Sequence, residues 1–285
     1  MNHAESGRTD VLSNFALEDR VALVTGAGSG MGEGIALGFA GVGAHVVIAE
    51  LNPSTAEATA ETIRTLGRRA LPIAVDVTKS DQVESMMSRI LSEFGRIDIL
   101  VNNVGGICSG RRIPLLEMTA DAWDSVINLN LKGTFLCTRS VAKVMRDQKR
   151  GNIVNIASIT GEVAYPDMVA YGVAKAGVIN FTRAVAVYLA PHNIRVNCIA
   201  PGPIATPEAA RVYKGQWRAE QTGVPLGRVG SPRDVAFAAI YLASPAADYV
   251  TGITLDVDGG PQQGRFILKQ SEEIWEMDKI RYSAK

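Results

Sequence analysis

Seven short apolar runs, separated by segments of helical length, constrain the fold of this chain more than any other feature. Each run is apolar on both faces, which is typical of parallel strands buried within a sheet. The runs are Val21–Thr25, Ala44–Ala49, Leu71–Val75, Ile97–Asn102, Asn152–Ala157, Ile194–Ile199 and Ile253–Val257. We therefore predict that all seven are buried strands.

The intervening segments are long enough for helices, and each strand lies too far from the next for a hairpin. Right-handed crossovers between parallel strands are then the default. The predicted helices are one that begins near Met31, then Pro53–Leu66, Ser80–Phe94, Ala120–Met145, Val169–Leu189 and Ser231–Leu242. The pattern predicts an α/β fold: a single domain with a Rossmann-type, doubly wound parallel sheet of about seven strands and helices on both faces.

The domain organisation follows from where the apolar pattern begins and ends along the 285 residues. Residues 1–16 are polar and mixed in charge, and we expect a flexible N-terminal tail without a secretion signal. Residues 17–261 form the predicted catalytic domain, and 262–285 form a C-terminal extension that alternates apolar and charged residues.

Composition excludes several function classes. The formal net charge is zero, so no global field attracts nucleic acid. No uninterrupted apolar run reaches the ~18 residues of a membrane span, so we expect no membrane partner. The cysteines Cys108, Cys137 and Cys198 lack zinc or disulfide spacing. We expect no metal site, reduced thiols and a cytoplasmic location.

The glycine-rich stretch TGAGSGMG follows the first predicted strand directly. At this point a doubly wound sheet binds a nucleotide, because free backbone amides and the helix dipole favour phosphate. We assign Gly26 to the tight turn and Gly30 and Gly32 to close approach of a pyrophosphate. Ser29 and Met31 belong to the same predicted site. The alternative is a plain structural turn.

Glu50 follows the second predicted strand and is placed to accept hydrogen bonds from the adenosine ribose hydroxyls. A 2′-phosphate would carry close to two negative charges beside this carboxylate. The first basic residue after Glu50 is Arg64, too far along the helix to offset them. The sequence therefore favours NAD over NADP, unless Glu50 is only a solvated strand end.

Tyr171 and Lys175 lie four residues apart on a predicted helix and hence on one face. Ser158 lies thirteen residues before Tyr171, just past a predicted strand. These residues complete an ordered set of motifs: TGAGSGMG, NNVG, INLNLKG, IAS, YGVAK, RVNCIAPGPIAT and DVDGG. From Leu17 to Pro261 the chain resembles the classical short-chain dehydrogenase/reductase family, with Val104 where that family usually has alanine.

The resemblance implies that Tyr171 exchanges a proton with a substrate oxygen while hydride moves to or from a nicotinamide. Lys175 would favour the phenolate, since tyrosine has an ordinary pKa of about 10. Ser158 would bond the substrate oxygen, and Asn130 would hold a water that links the lysine to solvent. Each of these residues has a structural alternative. Tyr171 is also compatible with a core aromatic and Lys175 with a solvated helix charge. Ser158 is compatible with a helix cap, and Asn130 with a satisfied core amide.

The same resemblance extends to the coenzyme. Asp76 and Val77 would hold the adenine, Asn103 would line the ribose side, and Ile204 and Thr206 would touch the nicotinamide carboxamide. The resemblance implies that Tyr171 and Lys175 contact the coenzyme as well. Helix capping is the alternative for Asp76, and a tie between strands is the alternative for Asn103. Family analogy also implies a homotetramer, or a homodimer, formed through two long helices and the last strand.

The substrate is expected to be a small or medium, fairly apolar secondary alcohol or ketone. The predicted pocket walls are Gly106–Arg111, Ile159–Tyr165 with Met168, and Ala205–Leu226, which contains Arg211, Tyr213, Lys214, Trp217 and Arg218. Two other hypotheses stay open. One is an NADPH-dependent ketoreductase of the 3-oxoacyl-carrier-protein type, and the other is a nucleotide-binding protein without catalysis.

Overall fold

The sheet is parallel and doubly wound. The computed structural model describes residues 11–107, 113–165, 167–212 and 224–260. Its strands are β1 (Val21–Thr25), β2 (His45–Glu50), β3 (Ala70–Ala74), β4 (Ile99–Asn102), β5 (Gly151–Ile156), β6 (Ile194–Pro201) and β7 (Thr254–Val257). Their order is β3-β2-β1-β4-β5-β6-β7, and every neighbouring pair is parallel. The order reverses between β1 and β4, which confirms the predicted fold class and locates its switch point.

Helices cover both faces of the sheet. They are α1 (Gly30–Gly41), α2 (Pro53–Thr65), α3 (Ser80–Phe94), α4 (Ala120–Ile127), α5 (Gly133–Gln148), α6 (Val169–Leu189), α7 (Pro207–Val212) and α8 (Pro232–Ala243). Buried side chains of α1, α2 and α8 share one core with alternate residues of β1 such as Ala22 and Val24. The intervening residues Val21 and Leu23 face a second core, where α3, α5 and α6 pack. Burial on both faces explains why the strands lack polar alternation.

Local chemistry sets several helix ends. Helix α2 begins with Pro53 in its first turn, and the side chain of Asn52 accepts from the amide of Ser54 at 3.0 Å. Helix α8 has a capping box in which Ser231 and Asp234 bond reciprocally. Helix α3 ends at Phe94, and the next residue, Gly95, has a φ of 69° that suits glycine. The predicted bounds of α3 and α6 are confirmed.

The predicted helix Ala120–Met145 is wrong as a single element. Helix α4 ends at Ile127, a π-helical turn spans Asn128–Lys132, and α5 continues to Gln148. The extra residue in this turn rotates the chain relative to a regular helix, and Asn130 becomes fully buried. A second correction concerns β3 and β7, which are only partly buried because they are the two edges of the sheet.

A short helical turn precedes the predicted start of the domain. Val11–Phe15 forms a 3₁₀ turn within the stretch predicted as a flexible tail, and the Phe15 ring lies 6.5 Å from that of Tyr241. Leu17, the next residue but one, is buried. The predicted C-terminal extension lies outside the described residues.

Among the described residues, one helical segment, Val169–His192, is long and apolar enough to cross a membrane by length and composition alone. It comprises α6 and the short turn after it. Eight side chains of α6 are buried within the domain, including that of Lys175. Packing in the core accounts for its apolar character, so this segment is weak evidence for a span.

Candidate active site

The glycine-rich stretch forms a tight turn between β1 and α1. Gly26 has a φ of 65°, and its amide donates to the carbonyl of Ala49 at 2.7 Å, which holds the turn against β2. A β-carbon at Gly32 would overlap the carbonyl oxygen of Gly26. The side chain of Ser29, at the N-cap of α1, makes no capping hydrogen bond. The first amides of α1 therefore have no acceptor from the cap, which suits an anionic ligand.

The carboxylate of Glu50 is fixed by three backbone amides. It accepts from Gly28 at 3.1 Å, Leu51 at 2.8 Å and Asn52 at 3.3 Å. Gly28 was not predicted as a site residue, but a β-carbon there would lie 2.7 Å from Cγ of Glu50 and would overlap the hydroxyl of Thr55. Gly28 thus allows the glycine turn and the acidic residue to meet.

A cavity of about 460 Å³ lies over this turn, and we call it the glycine-turn cavity. Nine predicted coenzyme residues line it: Gly26, Ser29, Gly30, Met31, Glu50, Asp76, Val77, Asn103 and Thr206. Gly32 lies behind the turn, outside this lining. The size, the bare amides and the close approach that glycine permits at this turn all fit a dinucleotide.

A second cavity of about 250 Å³, the tyrosine cavity, adjoins the first. The predicted site residues Ser158, Tyr171 and Ile204 line it. The two cavities share four lining residues, namely Met31, Gly105, Thr206 and Glu208. A ligand that occupies the glycine-turn cavity can therefore extend to Tyr171.

Lys175 lies behind the tyrosine cavity and is only 3% exposed. Its ammonium donates to the carbonyl of Ile156 at 2.8 Å and lies 5.6 Å from the ring centroid of Tyr171. Burial lowers the pKa of Lys175 to about 8, against a smaller opposing influence of Cys198. The hydroxyl of Ser158 accepts from the amide of Thr160 at 3.2 Å. The structure thus brings together the serine, the tyrosine and a cation.

Comparison with known proteins identifies the family of this chain. A family model described as enoyl-(acyl carrier protein) reductase matches residues 26–262. A 3-oxoacyl-[acyl-carrier-protein] reductase of Synechocystis is 43% identical over 249 residues, which cover 86% of this chain and 98% of that protein. The chain belongs to the short-chain dehydrogenase/reductase family.

Other members differ in what they act on. The 2-dehydro-3-deoxy-D-gluconate 5-dehydrogenase of Escherichia coli is 41% identical over 253 residues, 88% of this chain and 98% of that one. A structure of 7α-hydroxysteroid dehydrogenase with NADH and 7-oxo glycochenodeoxycholic acid aligns with a TM-score of 0.81 at 35% identity. The alignment covers 87% of this chain and 96% of the hydroxysteroid dehydrogenase chain. This short-chain dehydrogenase/reductase is accordingly an oxidoreductase that acts on CH–OH groups and binds a nicotinamide coenzyme.

Asn130 is held against the loop after β4. Its Oδ1 accepts from the amide of Gly106 at 3.0 Å, and its Nδ2 donates to the carbonyls of Gly106 and Val126 at 2.8 and 2.9 Å. Gly105 was not predicted, although a β-carbon there would lie 2.5 Å from Asn130 Oδ1 and 2.8 Å from Lys175 Nζ. The glycine that ends the NNVG motif was the available signal. The water relay assigned to Asn130 stays a prediction.

Two of the predicted coenzyme residues also have structural partners. Oδ1 of Asp76 accepts from the amide and the hydroxyl of Thr78 at 2.9 and 2.7 Å. Partial burial opposes its charged form, but the bonds from Thr78 and the charge of Lys79 hold the pKa of Asp76 below its ordinary value. Asn103 donates to the carbonyls of Thr25 and Gly26 at 3.0 and 3.2 Å, so it ties β4 to the glycine turn. Both residues also line the glycine-turn cavity.

The predicted substrate walls are placed in part. Ile159 and Met168 line the tyrosine cavity, whereas Val163 is not among its lining residues. Arg211 is exposed and pairs with Glu208 at 3.1 Å. The predicted wall residues Arg111, Tyr213, Lys214, Trp217 and Arg218 lie outside the described residues. Within the described ranges, no cluster of His, Cys, Asp or Glu is arranged to hold a metal ion.

Proposed function

We propose that this chain is an NAD-dependent oxidoreductase that interconverts a secondary alcohol and a ketone, with Tyr171 as general acid and base. The observation that carries the proposal is the placement of the Lys175 ammonium 5.6 Å from the Tyr171 ring. Tyr171 and Ser158 line the same cavity, next to the glycine turn. This is the arrangement that proton transfer to or from a substrate oxygen requires.

In this proposal, side chains of the protein carry out the proton transfer. Tyrosine has an ordinary pKa of about 10, so a neutral-pH base needs a phenolate stabilised by a nearby cation. Lys175 supplies that cation, and its low exposure strengthens the attraction. Ser158 donates to the substrate oxygen and orients it toward Tyr171. Asn130 is proposed to keep a water that returns protons to Lys175.

Other residues hold the coenzyme. The amides of the glycine turn and of α1 would bind the diphosphate, Asp76, Val77 and Asn103 the adenosine half, and Ile204 and Thr206 the nicotinamide end. When bound, the nicotinamide supplies hydride for reduction and accepts it in oxidation. The ribose beside it would contact Tyr171 and Lys175.

Removal of the Tyr171 hydroxyl tests the proposal. In Tyr171→Phe, we expect kcat to fall by at least about 10²-fold, while the Kd for NAD stays nearly unchanged. The matched control is Tyr188→Phe, which alters an exposed tyrosine on the same helix and should keep full activity. Turnover in Tyr171→Phe at the wild-type rate would show that another group moves the proton.

The preference for NAD is attributed to Glu50. Three amides fix its carboxylate beside the glycine-turn cavity, where a 2′-phosphate would be repelled. In Glu50→Gln, we expect the ratio of kcat/KM with NADP to that with NAD to rise by about 10- to 100-fold. The control Glu57→Gln changes an exposed carboxylate on α2 that pairs with Arg64. A wild-type enzyme that prefers NADP would contradict this assignment.

The tyrosine cavity supports a compact, fairly apolar substrate. Ile107, Ile159, Met168, Pro203 and Ala209 are among its lining residues, and Glu208 is its one formally charged member within the described ranges. A second candidate function is NADPH-dependent reduction of 3-oxoacyl thioesters, which the names of several relatives favour. Rates with small cyclic and acyclic ketones, compared with a 3-oxoacyl thioester, distinguish the two. A third candidate, coenzyme binding without catalysis, predicts no turnover of any of these compounds.

We also propose a homotetramer, with a homodimer as the alternative, and a cytoplasmic location. Large side chains on α5, α6 and α8 are exposed, namely Phe135, Val173 and Phe237, and β7 leaves one edge of the sheet unpaired within the described chain. Cys137 and Cys198 are buried free thiols, as reducing surroundings would keep them. Sedimentation equilibrium tests the assembly, and a monomer at micromolar concentration would contradict it.

A further inference from the structure

A third cavity, of about 380 Å³, lies at the opposite end of the sheet from the glycine turn. We call it the arginine cavity. It lies where β4, β5 and β6 begin, and its lining includes Arg20, Asp98, Arg150 and Arg195. These strands span roughly 20 Å, which separates the arginine cavity from the tyrosine cavity. Neither the coenzyme nor the proton transfer proposed above involves it.

The charges around this cavity do not balance. The carboxylate of Asp98 is 4% exposed, and its Oδ2 accepts from the amide of Val21 at 2.9 Å. Its Oδ1 faces three guanidinium groups: Arg96 in direct contact, Arg150 at 3.4 Å and Arg20 at 3.6 Å. One buried anion thus meets three cations, and two positive charges are left over.

Arg20 and Arg150 have N–H donors that Asp98 does not use. The distances from Arg20 and Arg150 to Asp98 exceed those of good hydrogen bonds, and each guanidinium carries five N–H groups. Within the described residues, no other acceptor is recorded for either side chain. Their remaining donors are therefore available to a ligand beside Asp98.

The fourth arginine forms a wall rather than a free donor. Arg195 donates to the carbonyls of Leu242, Ser244 and Val250 at 2.9, 3.0 and 3.2 Å, where α8 ends. Its Nε lies 3.9 Å from Asp248, an exposed carboxylate that also lines the cavity. The lining carries three cations, Arg20, Arg150 and Arg195, and the two anions Asp98 and Asp248. Arg96 contacts Asp98 from outside the lining, and with it the cluster as a whole keeps an excess of two positive charges.

A buried acceptor is also unfilled at this site. Asn152 lines the cavity, is 5% exposed, and donates through Nδ2 to the carbonyl of Leu242 at 2.8 Å. Its Oδ1 has no hydrogen-bond partner within the described residues. Rotating the amide by half a turn would place two carbonyl oxygens against each other, so Oδ1 stays an acceptor.

We propose that the arginine cavity is a binding site for a phosphate group, either inorganic phosphate or a phosphate monoester. Phosphate near neutral pH carries close to two negative charges, which match the two unbalanced cations. Its several oxygens suit convergent guanidinium forks. The volume is sufficient for a small phosphorylated metabolite. This inference does not depend on the proposed reaction.

Calorimetric titration of the full-length protein with inorganic phosphate tests the site. Saturating NAD is present throughout, because the glycine turn also attracts phosphate. We expect one phosphate per chain for the wild type and at least about tenfold weaker binding in Arg150→Gln and in Arg20→Gln. The control Arg146→Gln removes an exposed arginine that pairs with Asp147 outside the cavity, and it should bind as the wild type does.

The two arginine variants retain Arg96 on Asp98, so the buried carboxylate stays paired and we expect both to fold and to keep basal activity. Absence of saturable binding to the wild type would overturn the proposal. Equal affinity of the wild type, Arg150→Gln and Arg20→Gln would overturn it as well. A parallel titration with glycerol 3-phosphate identifies the source: tighter binding than phosphate indicates a monoester ligand, and weaker binding indicates the free ion.

Discussion

At the scale of single residues, the role proposed for Lys175 carries an energetic cost. Its ammonium is buried and has one recorded hydrogen bond, to the carbonyl of Ile156. Burial lowers its pKa from the usual 10.5 to about 8, so the charged form is less favourable in the folded protein than in the unfolded chain. The charge proposed to activate Tyr171 therefore destabilises the protein that carries it.

This cost predicts a pH-dependent difference between the wild type and Lys175→Met. Between pH 8 and 10.5 the unfolded wild type binds more protons at this lysine than the folded one, so its free energy of unfolding rises with pH. Relative to Lys175→Met, the wild type should gain up to about 3 kcal/mol across this window, and the variant should be inactive. Urea denaturation at several pH values measures the difference.

The control for Lys175→Met is the substitution of a lysine whose side chain is exposed to solvent. Lys143→Met removes an exposed lysine of α5 and should leave the pH dependence of unfolding as in the wild type. A constant difference in unfolding free energy between the wild type and Lys175→Met from pH 7 to 10 would contradict the depressed pKa.

Residues that carry chemistry were easier to predict than residues that only leave space. Residue type and spacing were enough to predict Tyr171 and Lys175, and the structure places them together. Gly28 and Gly105 were missed because their role is the absence of a β-carbon, and what that atom would meet is known only after folding. For Gly105 the neighbours are Asn130 and Lys175, which lie far away in sequence.

At the scale of elements, a buried chain of polar side chains ties α6 to the sheet. Nδ2 of Asn102 on β4 donates to Oδ1 of Asn155 on β5 at 2.8 Å and to the hydroxyl of Thr138 on α5 at 2.9 Å. Nδ2 of Asn155 donates to the hydroxyl of Thr182 on α6 at 2.9 Å. The helix that carries Tyr171 is therefore fixed by directional bonds as well as by apolar packing.

Loss of the bond between Asn155 and Thr182 should be costly. Thr182→Val keeps the shape of the side chain but leaves a buried amide donor of Asn155 unpaired, and we expect a loss of about 1–3 kcal/mol in unfolding free energy. Thr182→Ser keeps the hydroxyl and should lose less, because only a methyl group is removed. Chemical denaturation compares the two variants. Greater destabilisation by serine would show that packing outweighs the hydrogen bond here.

The sequence predicted element types better than element interruptions. The bounds Ser80–Phe94 and Val169–Leu189 are confirmed, and Gly95 and Pro191 lie just past the two C-terminal ends, where such residues commonly stop a helix. The π-helical turn at Asn128–Lys132 could not be predicted, since its residues are compatible with an ordinary helix and tertiary packing selects the turn. Exposure of β3 and β7 was missed for a similar reason, because edge position depends on strand order rather than on composition.

At the scale of the whole molecule, the glycine-turn cavity joins elements from both halves of the sheet. Its lining runs from the turn after β1 to Glu50 on β2, Asn103 after β4 and Thr206 before α7. A coenzyme held there contacts segments that separate when the chain unfolds. Binding should therefore stabilise the entire domain rather than one loop, since a ligand that binds only the folded state shifts the folding equilibrium.

The expected stabilisation by NAD is about 2.7 kcal/mol at roughly 100 times its Kd, with a smaller effect of NADP at equal concentration. Gly32→Ala should abolish this gain, because the added β-carbon overlaps the carbonyl of Gly26 and displaces the turn. Gly41→Ala is the matched control, since a β-carbon at this position on the same helix meets no atom within 4 Å. Thermal denaturation with and without coenzyme measures the gain for each protein, so any loss of intrinsic stability in Gly32→Ala cancels. Undiminished stabilisation of Gly32→Ala by NAD would mean that the diphosphate does not rest on this turn.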